Sequence, residues 1–235
     1  MSKTFFCSDT HFYDPNIILY ESNRLNALVD YITVNNLTNS FLSEVNSKNN
    51  DLKEVIKEIL VNDLESKNIV LDYCSLMIIE KWNSVVCKDD FVYFLGDYTH
   101  DYNKGIKVGK LLNGHKTIIL GNHDFIDRNN YNLDIERYFK ECSFERVEFN
   151  PIILKNWFVL SHEPIEYINE YCPFFNIYGH VHSSELFQTS TKHSLCVCLD
   201  RHNFIPLECE IYNKCEWKLY KGGINLWYRF YLFFC

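Results

Sequence analysis

The sequence predicts an α/β sandwich, with helices outside and two sheets inside. Three observations point there. Strand-like and helix-like stretches alternate through the first half of the chain, and the second half is mostly strands. Hydrophobic residues make up 47% and aromatics 16% of 235 residues, enough for a sizeable core and against disorder. Five short apolar runs each deliver an Asp, Asn or His at their exit. A buried strand that empties into a polar turn puts reactive groups at its carboxyl end, where open α/β sheets hold their ligands. The length suits one domain, residues 1–235, with an inserted subdomain.

Residues 3–7 read as a first strand buried on both faces. A turn follows, then a short helix with Asp14 as cap and Pro15 in its first turn. Residues 24–68 read as a helical insert. Within it Leu52, Val55, Ile56, Ile59 and Leu60 recur at helical spacing opposite Asp51, Lys53, Glu54, Lys57 and Glu58. The insert either packs onto the domain or offers a lid or partner surface. Residues 72–86 read as a second helix with Leu76, Ile79 and Trp82 inward, followed by a strand at 91–95. A helix over 103–112 is weakened by Gly105 and Gly109, and a strand over 117–120 follows. Residues 134–141 are expected helical and 144–149 a strand. Residues 151–160 suggest a hairpin turning at Lys155-Asn156. Leu186-Phe187 lies between the polar Ser183-Ser184 and Thr189-Ser190-Thr191. Strands over 195–199 and 208–212 finish the fold, and an aromatic-rich tail over 213–235 is left unassigned.

The formal net charge of −8 argues against a surface that coats nucleic acid, because such binding rests on cations neutralising phosphates. It leaves room for a phosphate ester held locally, a nucleotide among the candidates. The ten cysteines are irregularly spaced in a long chain, which suits reduced thiols and a cytoplasmic setting over a disulfide scaffold. Cys196 and Cys198 fall on one face of a strand. Met1-Ser2-Lys3 leads straight into a strand, with no room for a signal peptide. No run reaches the roughly 20 apolar residues of a membrane span. Residues 224–235 come closest but include Arg229.

The exit residues form one set: Asp9, His11, Asp97, Asn122, His162, His180 and His182. Nitrogen and oxygen ligands without thiolate suit Mn²⁺, Fe²⁺, Zn²⁺ or Co²⁺ better than Ca²⁺ or Mg²⁺. Seven are too many for one tetrahedral site and right for two adjacent ions sharing a carboxylate. Strand geometry carried into the turns would make Asp9 converge with His11, and His180 with His182. With His123, which follows Asn122, five of the nine histidines fall in the exit motifs. His100, His115, His193 and His202 lie outside the set and are read as structural or exposed, His100 being the one closest to an exit.

These motifs, namely Asp9-Thr10-His11, Gly96-Asp97, Gly121-Asn122-His123-Asp124, Ser161-His162 and Gly179-His180-Val181-His182, resemble the calcineurin-like metallophosphoesterases. Residues 81–86 and 112–116 resemble the compact bacterial and phage members. The likeness spans about residues 3–182. The 24–68 insert is longer than in that group, and nothing beyond Tyr212 matches. The resemblance implies a four-layer α/β/β/α sandwich with two metals at the sheet rim. Asp9, His11 and His182 would hold one ion, Asn122, His162 and His180 the other, with Asp97 bridging. It also implies hydrolysis of a phosphomonoester or phosphodiester by a metal-bridging hydroxide, with Mn²⁺ the ion expected to serve in assays. His123 would assist the leaving group. Asp124 would orient His123 or cap a helix. The competing expectation is a catalytically idle metal-bound scaffold that binds a protein, favoured by the tail Trp227-Tyr228-Arg229-Phe230-Tyr231. Oligomers through the insert or the tail stay open.

Overall fold

The structure, a computed structural model, describes residues 2–125, 134–166, 174–184, 193–213, 216–221 and 224–229, with side chains described through residue 209. Leu186-Phe187, residues 189–191 and the side chains of the aromatic tail lie outside the described residues. The fold is an α/β sandwich of two mixed sheets with helices.

The larger sheet is built from β1 (Thr4–Cys7), β2 (Phe91–Phe94), β3 (His115–Ile119), β4 (Phe144–Glu148), β9 (Leu207–Asn213), β10 (Glu216–Lys221) and β11 (Ile224–Arg229), in the order β11-β10-β9-β1-β2-β3-β4. β1 to β4 are parallel, so their carboxyl ends emerge together. β9, β10 and β11 extend the sheet as antiparallel neighbours from the free edge of β1. The smaller sheet holds β5 (Ile152–Leu154), β6 (Phe158–Leu160), β7 (Phe175–Tyr178) and β8 (Ser194–Cys196) in sequence order. Its β5–β6 hairpin turns at Lys155 and Asn156, both in the left-handed region as a tight hairpin turn demands.

Strand alternation sorts the side chains between two cores. Phe5, Cys7, Val92, Phe94 and Ile118 point to one face of the larger sheet, where they meet the helices. Phe6, Leu95 and Ile119 point to the other face and pack on Phe158, Leu160, Phe175 and Ile177 of the smaller sheet. Between β1 and β2 run five helices: α1 (Pro15–Tyr20), α2 (Ser22–Val34), α3 (Thr38–Glu44), α4 (Leu52–Asn62) and α5 (Leu64–Asn83). Asp14, Asp51 and Asp63 cap α1, α4 and α5 through their carboxylates. The apolar faces of α2 to α5, including Leu28, Phe41, Ile56 and Met77, belong to the same core as β1 and β2. Among the described residues no helix is long and apolar enough to cross a membrane.

One sequence expectation needs correction. The helix expected over 72–86 starts eight residues earlier, because Asp63 supplies its cap. Its buried stripe is Val70, Leu71, Cys74, Met77, Ile78 and Trp82, and Leu76 is 44% exposed. The glycines of α6 (Tyr102–Leu111) lie inside a helix that forms over nearly the expected residues. They let it approach α7 (Ile135–Glu141): a Cβ at Gly105 would meet the Tyr138 hydroxyl, and one at Gly109 the Cys142 carbonyl.

Candidate metal centre

The carboxyl ends of β1 and β2 face the turns that follow β6 and β7. Asp9 and His11 follow β1, Asp97 follows β2, and Asn122 opens a helical turn over residues 122–125 after β3. His162 follows β6, and His180 and His182 follow β7. The structure brings all seven into one place.

Two triads form there. Asp9, His11 and His182 have ligand atoms within 4.8 Å of one another, and so do Asp97, His162 and His180. The Asp97 Oδ2 atom lies between the triads, 3.5 Å from His11 Nε2 and 3.4 Å from His162 Nε2. Asn122 Oδ1 completes the second triad, 2.9 Å from both His162 Nε2 and His180 Nδ1. Ligands held at ~2.1 Å from one ion stand roughly 3.0–3.5 Å apart. The second triad is close to that spacing, with 3.2 Å between His162 Nε2 and His180 Nδ1. The first is slightly wider, with Asp9 Oδ1 3.8 Å from His11 Nε2 and 3.6 Å from His182 Nε2.

Local backbone explains the convergence. Asp9, His11, Asp97, His180 and His182 all have φ between 41° and 69°. Left-handed backbone at a non-glycine residue costs ~1–2 kcal/mol and gathers at functional sites. The chain therefore curls at each exit and does not continue as pleated strand. Asp9 and His11 share a triad as expected, but His180 and His182 do not: His182 joins Asp9 and His11, and His180 joins Asp97 and His162. Gly121 is required because a Cβ there would strike Asp97 Oδ1.

The ring nitrogens are oriented by partners behind them. His162 Nδ1–H donates to the Leu95 carbonyl at 2.6 Å, which turns Nε2 into the site. His182 Nδ1–H donates to Asp200 Oδ2 at 2.8 Å, which turns its Nε2 towards Asp9 Oδ1, 3.6 Å away. Asp200 is held in turn by Arg24, whose Nε and Nη2 donate to the carboxylate at 3.0 and 3.1 Å. The remaining guanidinium hydrogen bonds go to the carbonyls of Thr10 and Asp9. Arg24 is fully buried at the start of α2, so a helix of the insert braces the metal-facing turn. Cys198 Sγ–H donates to Asp9 Oδ2 at 3.1 Å, and the His180 backbone N–H donates to the same oxygen.

Arg24, Asp200 and Cys198 were missed by sequence reasoning. Asp200 did carry a signal, since it ends an apolar run, Leu195 to Leu199, as the other site residues do. Arg24 carried none. Of the remaining histidines, His115 pairs with Glu145 on the surface, His202 Nε2 meets the Cys196 carbonyl, and His100 is exposed.

His123 is exposed at the mouth, its ring edge-on to His11 with centroids 5.1 Å apart. Its backbone N–H donates to Asp97 Oδ1. The buried Asp124 carboxylate accepts from the backbone N–H groups of Asp97, Tyr98 and Gly121 at 2.9, 3.1 and 2.9 Å. That is a brace tying the β2 and β3 exits together, with the Gly121 bond closing the first turn of the helix. Burial and the nearby Asp97 charge push its carboxyl up to about 7.

The electrostatics test whether a cation fits. Asp9 Oδ1 and His11 Nε2 are buried and have no hydrogen-bond partner. Burial pushes the Asp9 carboxyl up, but the neighbouring His11, His162 and His182 outweigh it and hold the group far below the usual range. Burial opposes charge on His162, yet Asp97 and Asp9 raise it to about 10. The carboxylates demand positive charge so strongly that an imidazole keeps a proton to supply it. Divalent cations would meet the same demand and engage both orphaned atoms.

Comparison with known proteins agrees with this geometry. Residues 2–223 match the family described as calcineurin-like phosphoesterase. The uncharacterized protein MJ1445 of Methanocaldococcus jannaschii is 30% identical over 141 residues, covering 57% of this chain and 70% of that protein. The crystal structure of the protein of unknown function AQ665 from Aquifex aeolicus aligns with a TM-score of 0.52 at 22% identity. That alignment covers 88% of this chain and 96% of the other. It reports a shared fold.

Proposed function

The chain belongs to the calcineurin-like phosphoesterase family, and from that premise we propose that it is a dinuclear metal-dependent phosphoesterase hydrolysing a phosphomonoester or phosphodiester. The observation that carries the proposal is Asp97 Oδ2, placed at near-equal distance from a histidine of each triad. A carboxylate so placed suits two ions that share it.

Asp9, His11 and His182 would hold one cation, and Asn122, His162 and His180 the other, with Asp97 common to both. Such a pair supplies charge neutralisation for the phosphate and a nucleophile at neutral pH. The chain's own residues do the rest. Leu95 and Asp200 fix the tautomers of His162 and His182, so that neither ring must reorganise when substrate arrives. Asp124 locks the β2 and β3 exits and with them the positions of Asp97 and Asn122. His123 stands outside the buried cluster, able to give a proton to the leaving oxygen. The nitrogen and oxygen donor set suits Mn²⁺, Fe²⁺, Zn²⁺ or Co²⁺, and we take Mn²⁺ as the assay ion. A cytoplasmic setting agrees with the free thiols of Cys7, Cys74, Cys87, Cys142, Cys196, Cys198 and Cys209.

The test is hydrolysis of bis(p-nitrophenyl) phosphate and p-nitrophenyl phosphate by the full chain with each of the four ions. The expected result is turnover that a chelator abolishes and that Asp97→Asn lacks. Absence of turnover with all four ions, or turnover indifferent to chelator, would reject the proposal.

A further inference from the structure

A cleft of about 500 Å³ opens beside the second triad, and Gly121, Asn122 and His162 line both it and the metal centre. Its volume falls in the roughly 300–1,000 Å³ range of small-ligand sites. Away from the metals its walls are apolar: Phe125 on the turn after β3, Phe149 and Pro151 after β4, and Pro164 and Ile165 after His162. Phe149 is 36% exposed, a large ring left facing water on the flank of a polar site. The Phe125 and Phe149 rings lie 6.3 Å apart, tilted by 57°, and together form a wedge with aromatic sides.

The charge on these walls is as informative as their shape. None of the described residues lining the cleft is Lys or Arg, and Glu163 adds an acid. A second phosphate, a nucleic-acid strand or a phosphopeptide would bring further anionic charge here and find no counterion among the described lining residues. The wall is also built before any ligand comes. Buried Asn176 accepts from the Ile165 backbone N–H at 2.9 Å and donates to Ser161 Oγ and to the Val159 carbonyl. Ser161 Oγ–H donates to the Glu163 carbonyl at 2.7 Å, fixing the rim. A preset apolar wedge binds a rigid flat group with little ordering cost.

We propose that this cleft seats the organic part of the substrate and selects phosphate esters carrying a flat, uncharged ring, an aryl group or a nucleobase. The proposal rests on the phosphoesterase reading and narrows it to small ring-bearing esters.

Non-hydrolysable phosphonates test it, as competitive inhibitors of bis(p-nitrophenyl) phosphate hydrolysis by the Mn²⁺-loaded full chain. Phenylphosphonate should inhibit at a concentration at least tenfold lower than methylphosphonate, the discrimination an apolar pocket gives. The ratio should fall at least fivefold in Phe149→Ala and persist in Phe91→Ala, which removes an exposed ring at the opposite end of β2. A purine nucleoside phosphonate separates the sources: binding tighter than phenylphosphonate identifies a nucleobase, and weaker binding a simple aryl group. 4-Carboxyphenylphosphonate should bind at least threefold more weakly than phenylphosphonate, and Glu163→Lys should reverse that order. A wild-type ratio near one, or a ratio unchanged in Phe149→Ala, overturns the proposal. If methylphosphonate inhibits and no ring preference appears, the cleft assignment alone falls. If there is no metal-dependent hydrolysis at all, the phosphoesterase reading falls with it.

Discussion

The Asp97 carboxylate faces His11 on one side and His162 on the other, and its second oxygen accepts the His123 backbone N–H. Asp97→Asn keeps the size and removes the charge that two cations would share. We expect it to weaken both metals together and to lower activity by more than the ~10²–10³-fold of a single lost electrostatic donor. His123 has no such double duty. His123→Ala should keep both metals, lose about 10²–10⁴-fold in turnover, and lose most on esters with poor leaving groups. Metal analysis of the two purified variants separates the roles, and loss of both ions from the His123 variant would refute the assignment. Arg24 gives a third expectation. Arg24→Met leaves Asp200 buried without its cation, so stability measured in chelator should fall by ~3–5 kcal/mol. His182 then loses its fixed partner, and metal affinity should fall by ~10–100-fold. The exit residues were legible in the sequence because each polar motif interrupts an apolar run. Arg24 was not, because its meaning lies in Asp200, 176 residues away, and only folding brings the two together.

At the scale of elements, capping and periodicity were readable where one face of a segment is clearly polar. In α4 all five expected apolar residues are buried, because charged residues occupy the opposite side. In α5 apolar residues fall all round the helix, and a single sequence cannot set the phase of the stripe. Leu76 and Ile79 suggested one phase, and packing chose Val70, Cys74, Met77 and Ile78. The α6 glycines show a related limit: propensity counts their cost to an isolated helix and cannot see a neighbouring helix. Two substitutions decide which effect dominates. Alanine improves helix propensity by ~1 kcal/mol at either site. At Gly109 the new Cβ meets backbone, the Cys142 carbonyl, which cannot step aside. Overpacking of ~1–3 kcal/mol should therefore win, and Gly109→Ala should lower the denaturation midpoint. At Gly105 the first atom met is the Tyr138 hydroxyl, the tip of a side chain, so Gly105→Ala should cost less. Equal midpoints for the two variants would contradict close helix approach as the reason for these glycines.

For the molecule as a whole, the candidate metal centre is a joint. Asp9, His11, Asp97 and Asn122 come from exits of the larger sheet, and His162, His180 and His182 from exits of the smaller one. The sequence foretold two sheets. It could not tell that residues 207–229 join the first of them beside β1, since that pairing is set by a partner about 200 residues away. Each cation bound across the joint should stabilise the folded state by ~2.7 kcal/mol when present at 100 times its dissociation constant. In a chain of this size that raises the melting temperature by about 5–10 °C. The pH dependence has a definite sign. Burial opposes a proton on His162, but Asp97 and Asp9 raise its pKa from 6.5 to about 10. In the metal-free protein this contributes stability that is full below pH 6.5 and is lost as pH climbs through 10. A cation must displace that proton, so its apparent affinity rises with pH by up to tenfold per unit, or ~1.4 kcal/mol, for each proton released. Both effects run the same way. The gap in melting temperature between Mn²⁺-loaded and chelated protein, at fixed free Mn²⁺, should be wider at pH 8 than at pH 6. A gap that stays constant or narrows would mean that the imidazoles do not give up protons to the metal, and that the histidines gathered at this joint serve some other purpose.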